Sequence, residues 1–405
     1  MMQAAAQKER KFIQIHMIQN HAPANLNRDD LGAPKTCWFG GVLRARISSQ
    51  CLKRSIRMSD VFGARLRAGI RTRRLVDAIA GDDDRLRKRA ISVLRECGLI
   101  PKKGSKKGEE RSESKMLVYT THQAVREMRE RLARMEKGGQ KSLAGQFAEL
   151  IEKNTAAPDM ALVGRMLEPS GPVWNNRDMT VEAALQTAHA ISTHEARPEV
   201  DYYVAADDLP GQDAGAGFVD EALFTSACFY KYYSIDWSLL LENLSELRER
   251  REALAAHTVG AFVRAAALVT PTGKQNSFAA HNLPDGILVE VRSFPVSYAN
   301  AFARPVPLGE GARDVVAESI ARLEQYMIDL DEGYGAPDTR IWFSPNLRHS
   351  LRSQVEGSGG AGNHPHGLQA CKSLEGLVSA TLKAIDARFD WEEVSREGIL
   401  WEEVR

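Results

Sequence analysis

The segment from Arg44 to Arg74 holds the residues whose types and spacing most favour binding chemistry. It contains ten lysine or arginine residues and one acid, Asp60, so its net charge is +9. The whole chain of 405 residues carries a formal charge of only +1, so the remaining residues sum to −8. Positive charge concentrated in this way is typical of a defined nucleic-acid groove and not of a general polycation.

The first part of this segment predicts a strand. The residues from Val42 to Ile47 alternate between apolar side chains and the two arginines Arg44 and Arg46, which is the period of a half-buried strand. The pair Gly40-Gly41 before it predicts a turn. The alternation predicts that both arginines face an open groove, with ordinary surface arginines as the alternative.

A helix is predicted directly after this strand. Ser48 and Ser49 supply an N-cap, and the residues that follow have helical spacing, with Leu52 and Ile56 on the buried side. The opposite face presents Gln50, Lys53, Arg54 and Arg57. A basic face beside the N–H groups of a helix start suits the phosphates of a nucleic-acid backbone. The alternative is a solvated basic face without a ligand.

A few other residues have side chains that could serve catalysis or metal binding. Asp29-Asp30 lies in a loop where a carboxylate could hold Mg²⁺ in an endoribonuclease. Lys274 follows Gly273, but the remaining spacing of a phosphate-binding P-loop is missing, which excludes that motif. His364 and His366 are too few for a closed metal site. We therefore predict no catalytic residue, no metal and no cofactor.

The composition limits which class of protein this can be. Hydrophobic residues make up 43% and charged residues 26%, as in ordinary soluble globular proteins. No apolar run is long enough to span a bilayer, and the first residues lack the apolar core of a signal peptide, so we expect a cytoplasmic protein without a membrane partner. Five scattered cysteines without a CxxC pair favour reduced thiols and argue against a zinc site.

The predicted elements favour an α+β fold. Strands are expected near 12–18, 42–47, 228–235 and 287–292, and helices are expected to begin near 49 and 239. Two helices on such an antiparallel sheet form a ferredoxin-like or RRM-like palm. A mostly helical, arginine-rich block interrupts it after residue 60.

Shorter segments complete this interpretation. Residues 199–209 and 223–235 predict a long hairpin, residues 159–166 a strand and residues 181–193 a helix. The segments 102–115 and 356–367 have the composition of mobile loops.

Several motifs in this chain carry a resemblance to a known family. In order, they are NRDD, FGG, RISSQCLKRSIR, DMALVGRM, AHAISTHE, DYYVAADDL, PTGKQNSFAAHN and PVSYANAF. Over about residues 12–305 the chain resembles the CasC family, the crRNA-binding backbone subunit of the type I-E CRISPR Cascade complex. The ordered set of motifs is more specific than any one of them.

This resemblance implies an RRM-like palm, an inserted helical fingers domain and a β-hairpin thumb. The implied parts are 10–58 for the first palm segment, 59–180 for the fingers, 181–236 for the thumb and return to the palm, and 237–405 for the second palm segment. It also implies a structural, non-enzymatic subunit. Copies of it polymerise along the crRNA, kink it at intervals and present its bases to invading DNA, together with other Cascade subunits.

The resemblance also implies site residues. Those expected to bind RNA are Arg28, Lys35, Ser48, Gln50, Lys53, Arg54, Arg57, Met166, Tyr203, Val204 and Lys274, and those expected to contact target DNA are Arg134, Lys137 and Lys141. Met166 corresponds to a finger residue that wedges between bases, although a core methionine is the alternative. Of the adjacent Tyr202 and Tyr203, only one can face a core, which leaves the other free to stack.

Two other functions stay open at this point. One is a metal-dependent endoribonuclease backbone subunit, as in type III complexes, with Asp29-Asp30 at its centre. The other is a sequence-specific RRM protein, which needs an aromatic motif on the sheet that strands 12–18 and 287–292 lack.

Overall fold

A computed structural model describes residues 10–63, 66, 68–101, 112–136, 138–205, 218–309, 314–349, 351 and 368–386. The chain divides into two compact units. The first is built from 1–64, 186–236 and 259–388, and the second mainly from 65–185 and 237–258. Each unit has its own hydrophobic core.

The strands of the described part are β1 Phe12–Ala24, β2 Thr36–Phe39, β3 Val42–Ile47, β4 Ile70–Thr72, β5 Val118–Thr120, β6 Leu185–Thr187, β7 Ala190–Ser192, β8 Glu199–Ala205, β9 Phe218–Asp236, β10 Gly286–Arg292, β11 Thr339–Phe343 and β12 Leu368–Cys371. Strands β4 and β5 pair with each other in the second unit. The others form one large sheet.

The helices are α1 Ser49–Arg57, α2 Asp60–Gly63, α3 Leu75–Ala80, α4 Asp84–Glu96, α5 His122–Ala133, α6 Gln140–Lys153, α7 Pro158–Val163, α8 Trp237–Asn243, α9 Arg251–Leu268, α10 Gln275–Phe278, α11 Val315–Tyr334 and α12 Leu374–Ala384. Short 3₁₀ turns lie at 172–174, 245–250, 299–302 and 347–349.

The large sheet has the strand order β12-β11-β10-β1-β9-β7-β3-β2, with β6 and β8 also paired to β9. The pair of β11 and β12 is parallel, and the pairs of β1, β2, β3, β7, β8, β9 and β10 are antiparallel. Strand β9 has 19 residues and serves two partners: its first seven residues pair with β8, and its later residues pair with β1. A hairpin and the sheet are thereby joined through one continuous strand.

Two clusters of buried side chains cover the sheet of the first unit. On one side α11 contributes Ile320, Leu323 and Met327, which pack with sheet residues that include Leu288 and Trp342. The other cluster joins Leu52 of α1 to residues of β3, β7 and β9. The core of the second unit is formed by α3, α4, α5 and α6.

The fold class predicted from the sequence is confirmed at the level of a mixed α+β chain with a large, mostly antiparallel sheet. Strands β1, β3, β9 and β10 lie where strands were expected, and α1 and α8 begin at Ser49 and Trp237. Within the described residues, no helix combines the length and the apolar run that a membrane span requires. Residues 102–111 and 356–367 lie outside the described residues.

Two predicted elements are wrong. Residues 159–163 belong to helix α7, which begins at Pro158 and ends before Gly164, whose φ is +75°. Proline at the first helical position and glycine after the last one are helix signals, and they outweighed the apolar run between them. The segment 181–193 was predicted as a helix but contains the short strands β6 and β7, which both pair with β9. Pairing to a long strand overrides a local helical pattern.

Two buried histidines predict how the stability of the protein depends on pH. Burial lowers the pKa of His16 to about 4. Burial and the nearby Lys231 ammonium lower the pKa of His21 to about 3. Both are neutral in the fold, whereas the unfolded chain takes up protons at pH values below about 6.5. Stability is therefore present above that pH and is lost as the pH falls toward 4, by about 1.4 kcal/mol per pH unit for each histidine.

Urea unfolding followed by circular dichroism between pH 7.5 and 4.5 checks this expectation. In His21→Leu the pH dependence should shrink by about the contribution of one histidine. The exposed His281 offers a matched control, since His281→Gln should leave the dependence unchanged. A constant free energy of unfolding between pH 7 and pH 5 would contradict the prediction.

Candidate nucleic-acid interface

Helix α1 presents a basic face, as the sequence predicted. Ser48 caps it, with its side chain accepting a hydrogen bond from the Cys51 N–H at 3.3 Å. Leu52 and Ile56 are buried, and burial of each stabilises the packing by roughly 1.5–3 kcal/mol. On the other side Gln50 and Arg54 are exposed, while Lys53 and Arg57 are half-buried. The prediction of a helix with one apolar and one cationic face is confirmed.

The loop before β2 is tied to α1 through Asn27. Its side-chain oxygen accepts a hydrogen bond from the Ser48 N–H at 2.9 Å, and its backbone oxygen accepts one from the Lys35 N–H at 2.9 Å. Within this loop Arg28 is exposed and forms a backbone bridge with Pro34. Arg28 and Lys35 are thereby held on the same unit as the helix start.

A second asparagine connects the same loop to the hairpin. The Asn25 side-chain amide donates to the Gly32 oxygen at 2.9 Å and to the Leu223 oxygen in β9 at 2.8 Å. The roles of Asn25 and Asn27 were missed from the sequence. Two asparagines next to a turn were the available signal, because asparagine side chains bond readily to nearby backbone groups.

The prediction that Arg44 faces the groove is wrong. Its side chain is fully buried and donates to the carbonyl oxygens of Phe39, Ser192 and Phe302 at 3.1, 3.0 and 2.7 Å. The Ala303 oxygen lies at 3.4 Å from the same guanidinium. Burial lowers the pKa of Arg44. Alternation shows which residues share a face of a strand, but not whether a neighbouring segment covers that face.

The neighbouring turn shows the same close packing. A Cβ on Gly40 would lie 1.6 Å from the Ala303 oxygen, and its φ is +62°, so this turn requires glycine. The segment that contains Ala303 therefore lies directly against the β2–β3 turn and closes the groove that was predicted for Arg44.

Arg46 has a different environment from Arg44. It is half-buried, and it donates from Nε to the Thr36 oxygen at 3.1 Å and from Nη1 to His189 Nδ1 at 3.3 Å. The Ser49 N–H at the start of α1 also donates to His189 Nδ1, at 3.2 Å. Arg46 and the start of α1 are thus joined through His189, a role that the sequence did not reveal.

A hairpin begins at residue 199 as predicted, but its second strand differs from the predicted 223–235, of which residues 225–235 pair with β1. Residues 199–205 pair with residues 218–224. Tyr202 is 69% exposed and Tyr203 is 41% exposed, so neither lies in a core. The Tyr203 hydroxyl donates to Asp220 on the opposite strand at 2.9 Å. The side chain of Val204 lies outside what the structure describes.

Lys274 lies beside this hairpin. A Cβ on Gly273 would meet the backbone oxygens of Leu26 and Asn25 at 2.5 and 2.6 Å, so the segment packs closely on the Arg28 loop. Hydrogen bonds from the Glu221 N–H and the Tyr203 hydroxyl lower the pKa of Asp220, and the Lys274 charge adds to them. The first unit thus brings together Arg28, Lys35, α1, Lys274 and the two tyrosines.

The other predicted site residues lie in the second unit. Met166 is 81% exposed, so it is not a core methionine. It follows Arg165, whose buried guanidinium donates to the Met179 and Ile151 oxygens. Arg134 directly follows α5, and Lys141 lies in the first turn of α6; both are exposed. Lys137 lies outside the described residues.

Four cations of the first unit have no anionic partner in the part of the chain that the structure describes. Within the described residues, no carboxylate forms an ion pair with Arg28, Lys35, Lys53 or Arg54. Asp29 is occupied locally, since its Oδ1 accepts hydrogen bonds from the Leu31 and Ala33 N–H groups at 2.9 Å. Across the same residues, no cluster of three or more His, Cys, Asp or Glu side chains could hold a metal ion. Unpaired cations of this kind can bind phosphate groups.

A family model and two solved structures match this chain, and all three are of CRISPR-associated proteins. Residues 13–359 match the model of the family described as CT1975-like protein, Cas_CT1975. A chain of the solved structure "CRISPR RNA-guided surveillance complex, pre-nicking" is 27% identical, with a TM-score of 0.72 over 93% of this chain and 100% of that chain. A chain of another, "CRISPR RNA-guided surveillance complex", shares the fold at 24% identity and a TM-score of 0.56, over 92% of this chain and 99% of that chain.

No curated protein gives a significant match. The family match covers most of the sequence, and it confirms the recognition of a Cas protein that the ordered motifs had predicted. The chain therefore belongs to the CT1975-like family of Cas proteins.

Proposed function

We propose that this protein is the crRNA-binding backbone subunit of a Cascade-type surveillance complex, of type I-E. The observation that carries the proposal is a set of four cations on one unit that form no ion pair with a carboxylate among the described residues: Arg28, Lys35, Lys53 and Arg54. Similarity to a chain of an RNA-guided surveillance complex over 93% of the sequence supports it.

The chemistry of this surface suits a phosphate backbone better than bases. Lysine and arginine side chains on a helix face, together with a loop cation, attract phosphates without reading sequence. A subunit whose guide RNA recognises the target by base pairing needs to bind the RNA backbone without contacting specific bases. The guide bases are then free to pair with invading DNA.

The exposed aromatic residues supply a second element of the proposal. Tyr202 and Tyr203 are exposed on this hairpin, and an aromatic ring can stack on any base. We assign to this hairpin the role of a thumb that kinks the RNA. Met166 has the role of an apolar wedge in the fingers, and the sheet of the first unit that of an RRM-like palm.

The proposed partners follow from this role. They are the crRNA, further copies of this chain along it, other Cascade subunits, and target DNA reached through crRNA pairing. Arg134 and Lys141 are the described cations that we assign to DNA contact. We propose no catalytic step, since the Asp29 carboxylate accepts two backbone hydrogen bonds that shape its own loop.

Purification from cells that transcribe a CRISPR array tests the proposal. We expect a small RNA of uniform length, carrying repeat and spacer sequence, to co-purify with the protein. Incubation of the assembled complex with complementary RNA and Mg²⁺ should give no regular cleavage products. Protein free of RNA, or RNA of random length and origin, would contradict the proposal.

A further inference from the structure

The hairpin leaves the large sheet at one point of β9. Residues 218–224 of this strand pair with β8, whereas Thr225 and the residues after it pair with β1. The register with β1 shifts between His21 and Ala24, directly beside this point. A two-stranded hairpin has little stability of its own, so its direction depends on the contacts that hold its base.

Two contacts from other segments hold this base. The Asn25 side-chain amide donates to the Leu223 oxygen at 2.8 Å. The rings of Phe224 and Phe278 lie 5.6 Å apart between their centroids, at an interplanar angle of 41°, which is a favourable arrangement for an aromatic pair. Phe278 is the last residue of α10 and belongs to the segment 271–280, which we call the Lys274 loop.

The Lys274 loop is held in one shape by its own contacts. Lys274 and Ala279, which flank α10, both have a positive φ, of +50° and +47°. Residues other than glycine rarely adopt this conformation, and it persists only where the surrounding contacts impose it. The Gln275 side-chain amide donates to the Pro271 oxygen at 3.0 Å and to the Ala280 oxygen at 3.4 Å, so it ties the two ends of the loop together.

The Lys274 loop also packs against the Arg28 loop. Gly273 lies so close to the backbone of Asn25 and Leu26 that a Cβ there would be 2.5 Å from the Leu26 oxygen. The Lys274 loop therefore contacts the Arg28 loop through Gly273 and the hairpin through Phe278. A segment of fixed shape between these two parts can set the direction of the hairpin relative to the cations.

We propose that the Lys274 loop fixes the direction in which the hairpin leaves the sheet, and that Phe278 is the positioning residue through which Tyr202 and Tyr203 reach the bases of the guide RNA. Phe278 acts through Phe224 at the hairpin base and not by contact with RNA. The inference rests on the proposed function, and it assigns a role to a residue that the sequence gave no reason to place at the site.

A distance measurement without RNA tests the direction of the hairpin. Spin labels introduced as unnatural amino acids at the exposed Glu221 and Lys372 join the hairpin to the far edge of the same sheet. We expect one narrow distance distribution for the wild-type protein and a broader one for Phe278→Ala. Phe278→Tyr keeps the aromatic pair and should restore the narrow distribution. An unchanged distribution in Phe278→Ala would overturn the proposal.

A double-mutant cycle with fluorescent single-stranded RNA tests whether Phe278 acts through the tyrosines. We expect Phe278→Ala to weaken binding about fivefold, with an unchanged slope of log K against log salt because no phosphate contact is lost. In the background of Tyr202→Ser with Tyr203→Ser, it should have no further effect. The exposed Ser277 precedes Phe278 on α10, and Ser277→Ala is the matched control.

The two experiments separate the inference from the proposed function. An equal loss of RNA affinity from Phe278→Ala in both backgrounds would overturn the positioning role, because a merely structural residue gives that result. Failure of the wild-type protein to bind RNA would overturn the proposed function, and the distance distributions would still decide whether the Lys274 loop directs the hairpin.

Discussion

Replacement of both Lys53 and Arg28 by alanine is expected to weaken binding to single-stranded RNA by about a hundredfold at low salt, roughly tenfold for each lost phosphate contact. Both cations lie on the first unit and have no ion pair within its described residues. Because both meet phosphates and not bases, the loss should be the same for RNAs of unrelated sequence. Fluorescence anisotropy with three such RNAs measures it.

The salt dependence of RNA binding tests whether these two residues contact phosphates. Removal of two contacts should reduce the slope of log K against log salt by about 1.4. The double variant Arg348→Ala with Lys372→Ala removes two exposed cations near the β11–β12 edge of the same unit and serves as the matched control. An unchanged slope in the Lys53 and Arg28 variant would count against phosphate binding by these residues.

Replacement of Arg44 by methionine is expected to have the largest effect on stability. The buried guanidinium donates to the carbonyls of Phe39, Ser192 and Phe302, which belong to three separate segments. Each buried carbonyl that loses its donor costs roughly 1–3 kcal/mol, so we expect a total loss of about 3 kcal/mol or more. Urea unfolding followed by circular dichroism measures this change.

The exposed Arg54 provides the comparison for Arg44. Arg54→Met on the surface of α1 should change the free energy of unfolding by less than about 0.5 kcal/mol, while it weakens RNA binding. The two variants therefore separate an arginine that holds segments together from one that binds ligand. Equal stability of Arg44→Met and the wild-type protein would show that the carbonyls find other donors.

The sequence predicted α1 and its orientation because the signals there are local. Leu52 and Ile56 are four residues apart on the buried face, and Ser48 is a strong cap. A cationic face opposite an apolar one then follows from helical geometry alone. The exposed state of Gln50 and Arg54 needed no knowledge of the rest of the chain.

The sequence-based predictions fail where contacts between segments far apart in sequence determine the structure. Arg44 and Arg46 follow the same alternation. Only Arg44 is covered by the segment that contains Phe302 and Ala303. The hairpin register depends on how β9 divides its length between β8 and β1, which no local pattern encodes. The asparagine bonds that join the Arg28 loop to α1 and to β9 likewise depend on segments far apart in sequence.

The most direct test of a phosphate-gripping surface is a titration of the wild-type protein with unrelated single-stranded RNAs of equal length, between about 50 and 200 mM salt. We predict that log K falls linearly with log salt, by about 0.7 for each phosphate contact, and that all sequences follow the same line. Affinity that is independent of salt, or that differs strongly from one sequence to another, would contradict the account.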